Sequence, residues 1–333
     1  MKPKIPTLVI VAAALVLAIP TLSASPRAPY SAIVVFGTSL SDSGNAFALA
    51  GGTSTPPDYG LSAFLIPGAP YARGGHHLSN GATWVEQFAR SIGLAGSVQP
   101  AYRSESAGAT NYAVGTARAC DGANDQNVNL ADQVSAYLND VGGVAPADAL
   151  YVIEMGANDL RDALAPALAI IQQGGSPEQA LQAVAPILLC AQQAIQAQIT
   201  ALYIAGARNF LVWTVPDPGL TPAIRSLGPV AMQAASFLTS SFNNEILLPT
   251  LQGLAAALPG LDVTILDAFA LLHQMNAMPA NFGLTNTTSA CVVPDQAPYF
   301  CQNPDEYLFW DGIHPTRAAH AAVAREAARV LAQ

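Results

Sequence analysis

Apolar residues along the chain fall into short runs that alternate with longer amphipathic stretches. Residues 32–36 form a compact run rich in β-branched side chains and end at Gly37, which predicts a buried first strand. Further short runs predict strands at residues 149–154, 210–214 and 263–266, with a weaker candidate at 111–114. The pattern therefore predicts several buried strands distributed over the whole chain.

The stretches between these runs have the periodicity of helices. Trp84, Phe88 and Ile92 recur at intervals of four, which places them on one helix face. Helices are predicted at residues 82–92, 177–205, 229–257 and 316–331. Strands that alternate with such helices predict an α/β fold, a three-layer α/β/α arrangement around a mostly parallel central sheet. Ligands bind beyond the carboxyl ends of the strands in such sheets, so we expect the functional residues to lie in the loops that follow strands.

The amino terminus has the pattern of a secretory signal peptide. Lys2 and Lys4 precede an apolar stretch that runs to about residue 19, followed by Pro20 and small residues. An uncleaved membrane anchor is the alternative, but the proline and the small residues favour cleavage near residue 25. We therefore expect residues 1–25 to be removed, and residues 26–333 to form a single domain that is secreted, either extracellular or periplasmic.

Composition and charge exclude several classes of protein. Hydrophobic residues make up 51% of the chain, enough to bury a substantial core. Both lysines lie in the leader, so the mature chain has 11 arginines against 22 acidic residues, a net charge of −11. This charge repels phosphate backbones and anionic lipids. Nucleic acid is therefore not expected as a partner, and transient contact with a lipid surface would have to be apolar, for example through residues 63–67 as a lid or docking segment.

The four cysteines are an even number in a chain that is expected to be exported. Of the three possible pairings we prefer Cys291–Cys301, which closes a short loop, with Cys120–Cys190 as the second disulfide. The cysteine spacings match no common zinc pattern. The adjacent His76 and His77 lie in a glycine-rich loop and are interpreted as solvated. No metal and no other cofactor are expected.

The polar residues after the first strand suggest nucleophilic chemistry. Ser39 follows residues 32–36 directly, and a serine nucleophile requires a base and donors for the oxyanion that it creates. His314 lies just before the last predicted helix, with Asp311 three residues ahead of it. In a tight turn this spacing allows the carboxylate to bind one ring nitrogen and direct the other towards the serine. We predict a triad of Ser39, His314 and Asp311.

Donors for the oxyanion are expected from three loops that follow predicted strands. They are the backbone N–H of Ser39, the backbone N–H of Gly115 and the side-chain amide of Asn158. Each also has a simpler interpretation, because Ser39 and Asn158 are typical helix-capping or turn residues and glycine permits close packing. The combination of the loops favours the catalytic interpretation.

In these blocks the sequence resembles the GDSL lipases and esterases, which form the SGNH hydrolase superfamily. Ser39, Gly115, Asn158 and His314 match the four ordered blocks of that superfamily. The resemblance implies a flavodoxin-like SGNH hydrolase fold and makes Asp311 the third member of the triad. One departure is Thr38, which stands where the family has its eponymous aspartate; we expect activity to survive this change. The nucleophile elbow of α/β-hydrolases, Gly-x-Ser-x-Gly, is absent, because Ser39 is followed by Leu40 and Ser41, and Ser41 stands where that motif has its second glycine.

The resulting prediction is a secreted serine ester hydrolase that acts through an acyl-enzyme intermediate. Its partners are small-molecule or lipid esters. A phospholipase or lipid acyltransferase with the same triad is the alternative among enzymes, because the acyl group can pass to another alcohol when water is excluded. A non-catalytic exported binding protein is the alternative from a different class.

Overall fold

The computed structural model describes Met1 and residues 29–49, 77–103, 108–122, 127–292 and 301–333. Its central sheet consists of β1 (Ile33–Gly37), β2 (Leu150–Glu154), β3 (Asn209–Trp213) and β4 (Asp262–Leu266). The strands are hydrogen-bonded in that order, and every pair is parallel. β1 and β2 are buried throughout, as expected for parallel strands with both faces covered. The predicted parallel sheet is therefore confirmed.

The weaker strand candidate at residues 111–114 lies alongside β1 as an extended segment with isolated bridges. The N–H of Tyr112 donates to the carbonyl of Val35 at 2.8 Å, and the N–H of Val114 donates to the carbonyl of Gly37 at 3.1 Å. A parallel bridge also joins Val35 to Asn111. The segment therefore continues the sheet past β1 and brings the residues that follow it close to the turn after β1.

Helices cover both faces of the sheet. In chain order they are α1 (Asn45–Leu49), α2 (Trp84–Ser91), α3 (Leu130–Asp140), α4 (Ala157–Gln172), α5 (Pro177–Ala205), α6 (Pro222–Ser226), α7 (Pro229–Ser241), α8 (Leu248–Ala257), α9 (Ala268–Ala277) and α10 (Arg317–Val330). One apolar cluster joins the sheet to α3, α4, α5 and α7, and a second joins its other face to α2, α9 and α10. The predicted three-layer α/β/α fold is therefore confirmed.

Some helices differ from the sequence prediction. α3, α4 and α9 form where the pattern predicts no helix; α4 contains Pro166, a residue type that usually ends a helix. The helix predicted at 229–257 is interrupted between α7 and α8 by a π-helical turn, Phe242–Leu247. In this turn the Asn243 side chain accepts a hydrogen bond from the N–H of Val215 at 2.9 Å and donates to its carbonyl at 2.8 Å. The π turn thus fixes the segment that follows β3.

A small second sheet and two disulfides complete the described fold. β5 (Asn286–Ala290) pairs in parallel with β6 (Tyr307–Phe309), just before α10. Cys291 is bonded to Cys301 beside this sheet, and Cys120 is bonded to Cys190 of α5. The preferred disulfide pairing is therefore confirmed.

Two sequence predictions fall on parts of the chain that are not described. The leader at residues 1–25, apart from Met1, and the candidate docking segment at 63–67 lie outside the described residues. Within the described chain, α5 is long and apolar enough, by length and composition, to cross a membrane. Its buried residues nevertheless recur every three or four positions, at Ala180, Val184, Leu188, Ala191, Ile195, Ile199 and Leu202. This stripe packs into the apolar core, as in an ordinary amphipathic helix.

Candidate active site

Ser39 lies in the tight turn that follows β1. The N–H groups of Ser41 and Asp42 both donate to the carbonyl oxygen of Thr38 at 3.1 Å, which closes the turn around Ser39. The strand before it is buried, whereas Ser39 is half-buried and lines a cavity. The serine hydroxyl is thus held at the carboxyl end of a rigid strand, at the boundary between the core and open space.

His314 and Asp311 lie beside Ser39 in the loop between β6 and α10. The Nε2 atom of His314 is 2.9 Å from Oγ of Ser39, although the two residues are 275 positions apart. The Nδ1 atom of His314 is 2.7 Å from Oδ2 of Asp311. This arrangement places the ring hydrogen on Nδ1 and leaves Nε2 free to accept the serine proton.

The loop that carries these two residues is fixed by its own hydrogen bonds. Oδ1 of Asp311 accepts the N–H groups of Ile313 and His314 at 2.8 and 2.7 Å. The N–H of Trp310 donates to the carbonyl of His314 at 2.7 Å, and Thr316 caps α10 through its side chain. Since Asp311 and His314 are both almost fully buried, their relative orientation is set before any substrate arrives.

Asn158 and the backbone of Ser39 offer hydrogen-bond donors to the same cavity. Asn158 lies in the first turn of α4, directly after β2, and its Nδ2 donates to the carbonyl of Ala117 at 2.7 Å. A primary amide has two hydrogens, so one remains for a ligand. Within the described residues, the N–H of Ser39 has no hydrogen-bond partner. These two N–H groups are therefore able to bind an oxyanion.

Gly115 is placed differently. Its N–H donates to Oδ2 of Asp42 at 2.8 Å, and the residues that line the described cavity do not include Gly115. A Cβ atom at this position would lie 2.9 Å from the side chain of Leu78, so close packing accounts for the glycine. The structure therefore brings Ser39, Asp311, His314 and Asn158 to one cavity and directs the N–H of Gly115 to a buried carboxylate.

That carboxylate, Asp42, organises the start of α1. Besides Gly115, it accepts hydrogen bonds from the N–H groups of Gly44, Asn45 and Ala46 at 2.7, 2.6 and 3.0 Å. Burial raises the pKa of Asp42, and the four N–H donors oppose this shift because they stabilise the charged form. Asp42 thus links the turn around Ser39 to the segment at residues 111–115.

The cavity at Ser39 is mainly apolar. It extends between α4, α6, α9 and α10, and its apolar lining includes Leu164, Ile224, Leu271, Met275 and Val323. Arg161, one helical turn after Asn158, lines the same cavity. An apolar cavity with a few polar groups around a serine hydroxyl fits the hydrocarbon part of a small organic ligand.

The histidines near the site that the structure describes have partners other than a metal-binding cluster. In the described residues, no group of three or more His, Cys, Asp and Glu side chains is arranged to hold a metal ion. His76 lies outside them. The interpretation of His77 as solvated is wrong, because its side chain is only 12% exposed and its Nε2 lies 2.8 Å from Glu86 of α2. His77 thus contacts α2, where Glu86 also forms a capping box with Thr83.

Two buried polar residues beside the turn around Ser39 are missed by the sequence prediction. Glu154 is the last residue of β2, and an acidic side chain at the end of an apolar strand is the signal that points to it. Gln133 accepts the N–H of Gly37 at 2.9 Å and donates to its carbonyl at 3.0 Å. No local signal reveals Gln133, because it lies 96 residues from Gly37 in a helix that the pattern does not predict.

Comparison with known proteins gives a consistent result. The family profile of the GDSL-like lipase/acylhydrolases matches residues 33–327. A GDSL esterase/lipase of Arabidopsis thaliana is 28% identical, covering 91% of this chain and 88% of its own length. A phosphatidylcholine-sterol acyltransferase of Aeromonas hydrophila is 26% identical, covering 93% of this chain and 92% of its own length. A thermolabile hemolysin of Vibrio parahaemolyticus is 25% identical, covering 88% of this chain and 62% of its own length.

The matched region begins with β1 and ends within α10, so it includes the described sheet and both loops of the candidate site. The relatives support an acyl ester hydrolase of the lipase and esterase kind. The chain belongs to the GDSL-like lipase/acylhydrolase family.

Proposed function

We propose that this protein hydrolyses carboxylic esters with Ser39 as nucleophile, His314 as general base and Asp311 as the residue that orients the base. One observation carries the proposal: a continuous hydrogen-bond chain runs from Asp311 to Nδ1 of His314 and from Nε2 of His314 to Oγ of Ser39, at an apolar cavity. The two links measure 2.7 and 2.9 Å, within the range needed for proton transfer.

The reaction proceeds in two steps. Oγ of Ser39 attacks the ester carbonyl carbon while Nε2 of His314 takes the hydroxyl proton, and a tetrahedral oxyanion forms. His314 then gives this proton to the departing alcohol, which leaves Ser39 acylated. Water attacks the acyl group, its proton passes through His314 back to Oγ of Ser39, and the carboxylic acid is released.

Two donors are available for the oxyanion. They are the N–H of Ser39 and the second amide hydrogen of Asn158, whose first hydrogen is held by Ala117. Gly115 would join them as a third donor only by releasing Asp42, so we assign it to the support of the turn. The charge that develops on the substrate is therefore stabilised mainly by Ser39 and Asn158.

The cavity supports an ester with a hydrocarbon acyl group as the substrate. Its lining is mostly aliphatic and aromatic, which favours an acyl chain over a polar acid. The acidic surface of the chain disfavours anionic lipid surfaces, so contact with a lipid would be apolar. Simple acyl esters and neutral lipid esters are the expected class.

A lipid acyltransferase or phospholipase is the second candidate. Its first step is the same acylation of Ser39, and a lipid alcohol then replaces water as the acceptor. The similarity to the acyltransferase of Aeromonas hydrophila favours this candidate. We further propose that the protein is secreted after loss of residues 1–25, in agreement with its two disulfides, which form in oxidising compartments.

The first experiment measures hydrolysis of p-nitrophenyl esters from acetate to palmitate by the wild type and by Ser39→Ala. We expect kcat/KM to fall by a factor of about 10⁴ in the variant, because the acyl-enzyme is no longer formed. Addition of a long-chain alcohol and analysis of the products separates transfer from hydrolysis.

Ser91→Ala is the matched control, since Oγ of Ser91 bonds within α2 to the carbonyl of Phe88, and Ser91 does not line the described cavity. It is expected to keep the wild-type rate. Equal rates for the wild type and Ser39→Ala would reject the serine mechanism and favour a binding protein.

A further inference from the structure

The Glu154 carboxyl group lies directly beneath the nucleophile turn. It is 2% exposed at the carboxyl end of β2, next to the carboxyl end of β1. Its Oε2 atom would lie 3.0 Å from a Cβ atom at Gly37, so a larger residue before the turn would displace it. Burial of a carboxyl group is costly and requires hydrogen bonds from its surroundings.

These hydrogen bonds come from residues on both sides of Ser39. Oε2 of Glu154 accepts the backbone N–H of Thr38 at 2.9 Å, and the Thr38 hydroxyl donates to Oε1 at 2.9 Å and to Oε2 at 3.1 Å. The Ser41 hydroxyl also bonds to Glu154, while its oxygen accepts the indole N–H of Trp84 at 2.9 Å. Glu154 therefore binds the residue before Ser39 and a residue two positions after it.

We propose that Glu154 is a positioning residue for the nucleophile, and that it forms with Thr38 a single unit that holds the turn around Ser39. This inference rests on the proposed serine mechanism. Anchoring Thr38 fixes the peptide that carries the Ser39 N–H, and anchoring Ser41 fixes the other end of the turn. The direction of the Ser39 hydroxyl and of its oxyanion donor thus depends on a carboxyl group that does not touch the substrate.

The unit also explains why position 38 accepts a hydroxyl side chain. A carboxylate there would face the Glu154 carboxyl at hydrogen-bond distance, and two carboxylates so close cannot both be ionised. A hydroxyl group donates to Glu154 and avoids this repulsion. Thr38 and Glu154 are therefore expected to depend on each other.

The charge of Glu154 is set by groups from several elements. Burial raises its pKa to about 7, whereas the donors Thr38 and Ser41 and the charge of His314 oppose this shift. Gln133 of α3, which binds Gly37, is uncharged. Above neutral pH the ionised Glu154 favours the protonated ring that His314 acquires in the transition state. Protonation of Glu154 at lower pH is expected to weaken this effect and so to lower kcat.

The test compares steady-state kinetics of Thr38→Asp, Glu154→Gln and the double variant with the wild type, at saturating ester. We expect kcat to fall about tenfold or more in Thr38→Asp with little change in KM, because the turn and not the cavity is disturbed. Addition of Glu154→Gln to Thr38→Asp is expected to recover most of this loss, since the amide donates to the new carboxylate.

A second pair of variants isolates the hydroxyl group. Thr38→Val keeps the shape of the side chain and loses the donor, whereas Thr38→Ser keeps the donor, so kcat is expected to be higher in Thr38→Ser than in Thr38→Val. The pH profile of kcat for Glu154→Gln is expected to lose one titration near neutral pH. The exposed Glu245→Gln is the matched control and should keep the wild-type profile.

The outcomes separate this inference from the proposed function. If Ser39→Ala abolishes hydrolysis but Glu154→Gln keeps the wild-type kcat and pH profile, Glu154 is not a positioning residue. If the double variant has the same kcat as Thr38→Asp, the proposed coupling between Thr38 and Glu154 is overturned. If Ser39→Ala keeps full activity, the serine mechanism itself fails; thermal unfolding of the same four proteins then still measures whether the two sites are coupled.

Discussion

At the scale of single residues, His320 shows how burial controls protonation close to His314, the proposed base. Its side chain lies in α10, 1% exposed, and Nδ1 accepts the backbone N–H of Trp84 at 3.2 Å. Desolvation, helped by the nearby His77 and His314, lowers the pKa of His320 to about 3. Its ring is therefore neutral across the physiological range, and it supports the start of α2 as a hydrogen-bond acceptor.

This burial predicts a loss of stability in acid. Below pH 6.5 the unfolded chain takes up a proton at His320 that the folded protein does not, so the stabilisation is complete above this pH and is lost as pH falls towards 3. Between pH 7 and 5 the loss is about 2 kcal/mol. His320→Asn keeps an acceptor for Trp84 without a titrating ring, and its free energy of unfolding is expected to depend less on pH.

Urea unfolding at several pH values measures the effect. Because the two proteins differ only at residue 320, the contributions of Glu154 and of the other acids cancel in the comparison. If the free energy of unfolding depends on pH in the same way for the wild type and for His320→Asn, the prediction is contradicted.

At the scale of secondary-structure elements, α9 forms one wall of the apolar cavity. Met275 lies on the buried face of this helix and lines the cavity, whereas Met278, at its carboxyl end, is 51% exposed and does not line it. The two methionines therefore differ in environment although they are three residues apart. This difference allows a direct test of the role of α9 in substrate selection.

Met275→Trp is expected to shorten the preferred acyl chain, because the larger ring fills part of the cavity. We expect kcat/KM to fall about tenfold or more for palmitate and to change little for acetate, measured with p-nitrophenyl esters. Met278→Trp adds the same side chain outside the cavity and should keep the wild-type preference. An unchanged preference in Met275→Trp would mean that acyl chains bind elsewhere.

At the scale of the whole molecule, the two disulfides contribute unequally. Cys120–Cys190 closes a loop with a sequence separation of 70, and Cys291–Cys301 closes one of 10. Loop-closure entropy gives about 4 kcal/mol for the longer loop and about 3 kcal/mol for the shorter one. The longer disulfide also anchors the loop whose Ala119 and Cys120 N–H groups bind Asp159, next to Asn158.

We therefore expect the double Cys→Ser variant at positions 120 and 190 to unfold at a lower temperature than the one at 291 and 301. Differential scanning calorimetry of the two variants and the wild type measures this order. The variant at positions 120 and 190 is also expected to show the larger decrease in kcat, because the loop that supports Asn158 is less firmly held. The reverse order of melting temperatures would show that local strain or packing outweighs the loop length.

The elements that the sequence determined are those set by local patterns. The four strands of the central sheet, the long α5 and the terminal α10 follow from runs and periodicities within a few residues of each other. Ser39, Asn158 and His314 were identified because each follows or precedes such an element in a recognisable block. The order of these blocks along the chain was enough to predict the family and the class of fold.

Only the tertiary structure revealed several of the contacts between distant segments that support the site. The contact between Thr38 and Glu154 spans 116 residues, and the partner of the Gly115 N–H is a carboxylate in a different loop. The π turn that brings Asn243 to Val215 could not be predicted either, because the hydrophobic pattern there fits one continuous helix. The physical reason is that a local pattern specifies how a segment folds, whereas hydrogen bonds between distant segments depend on how those segments pack.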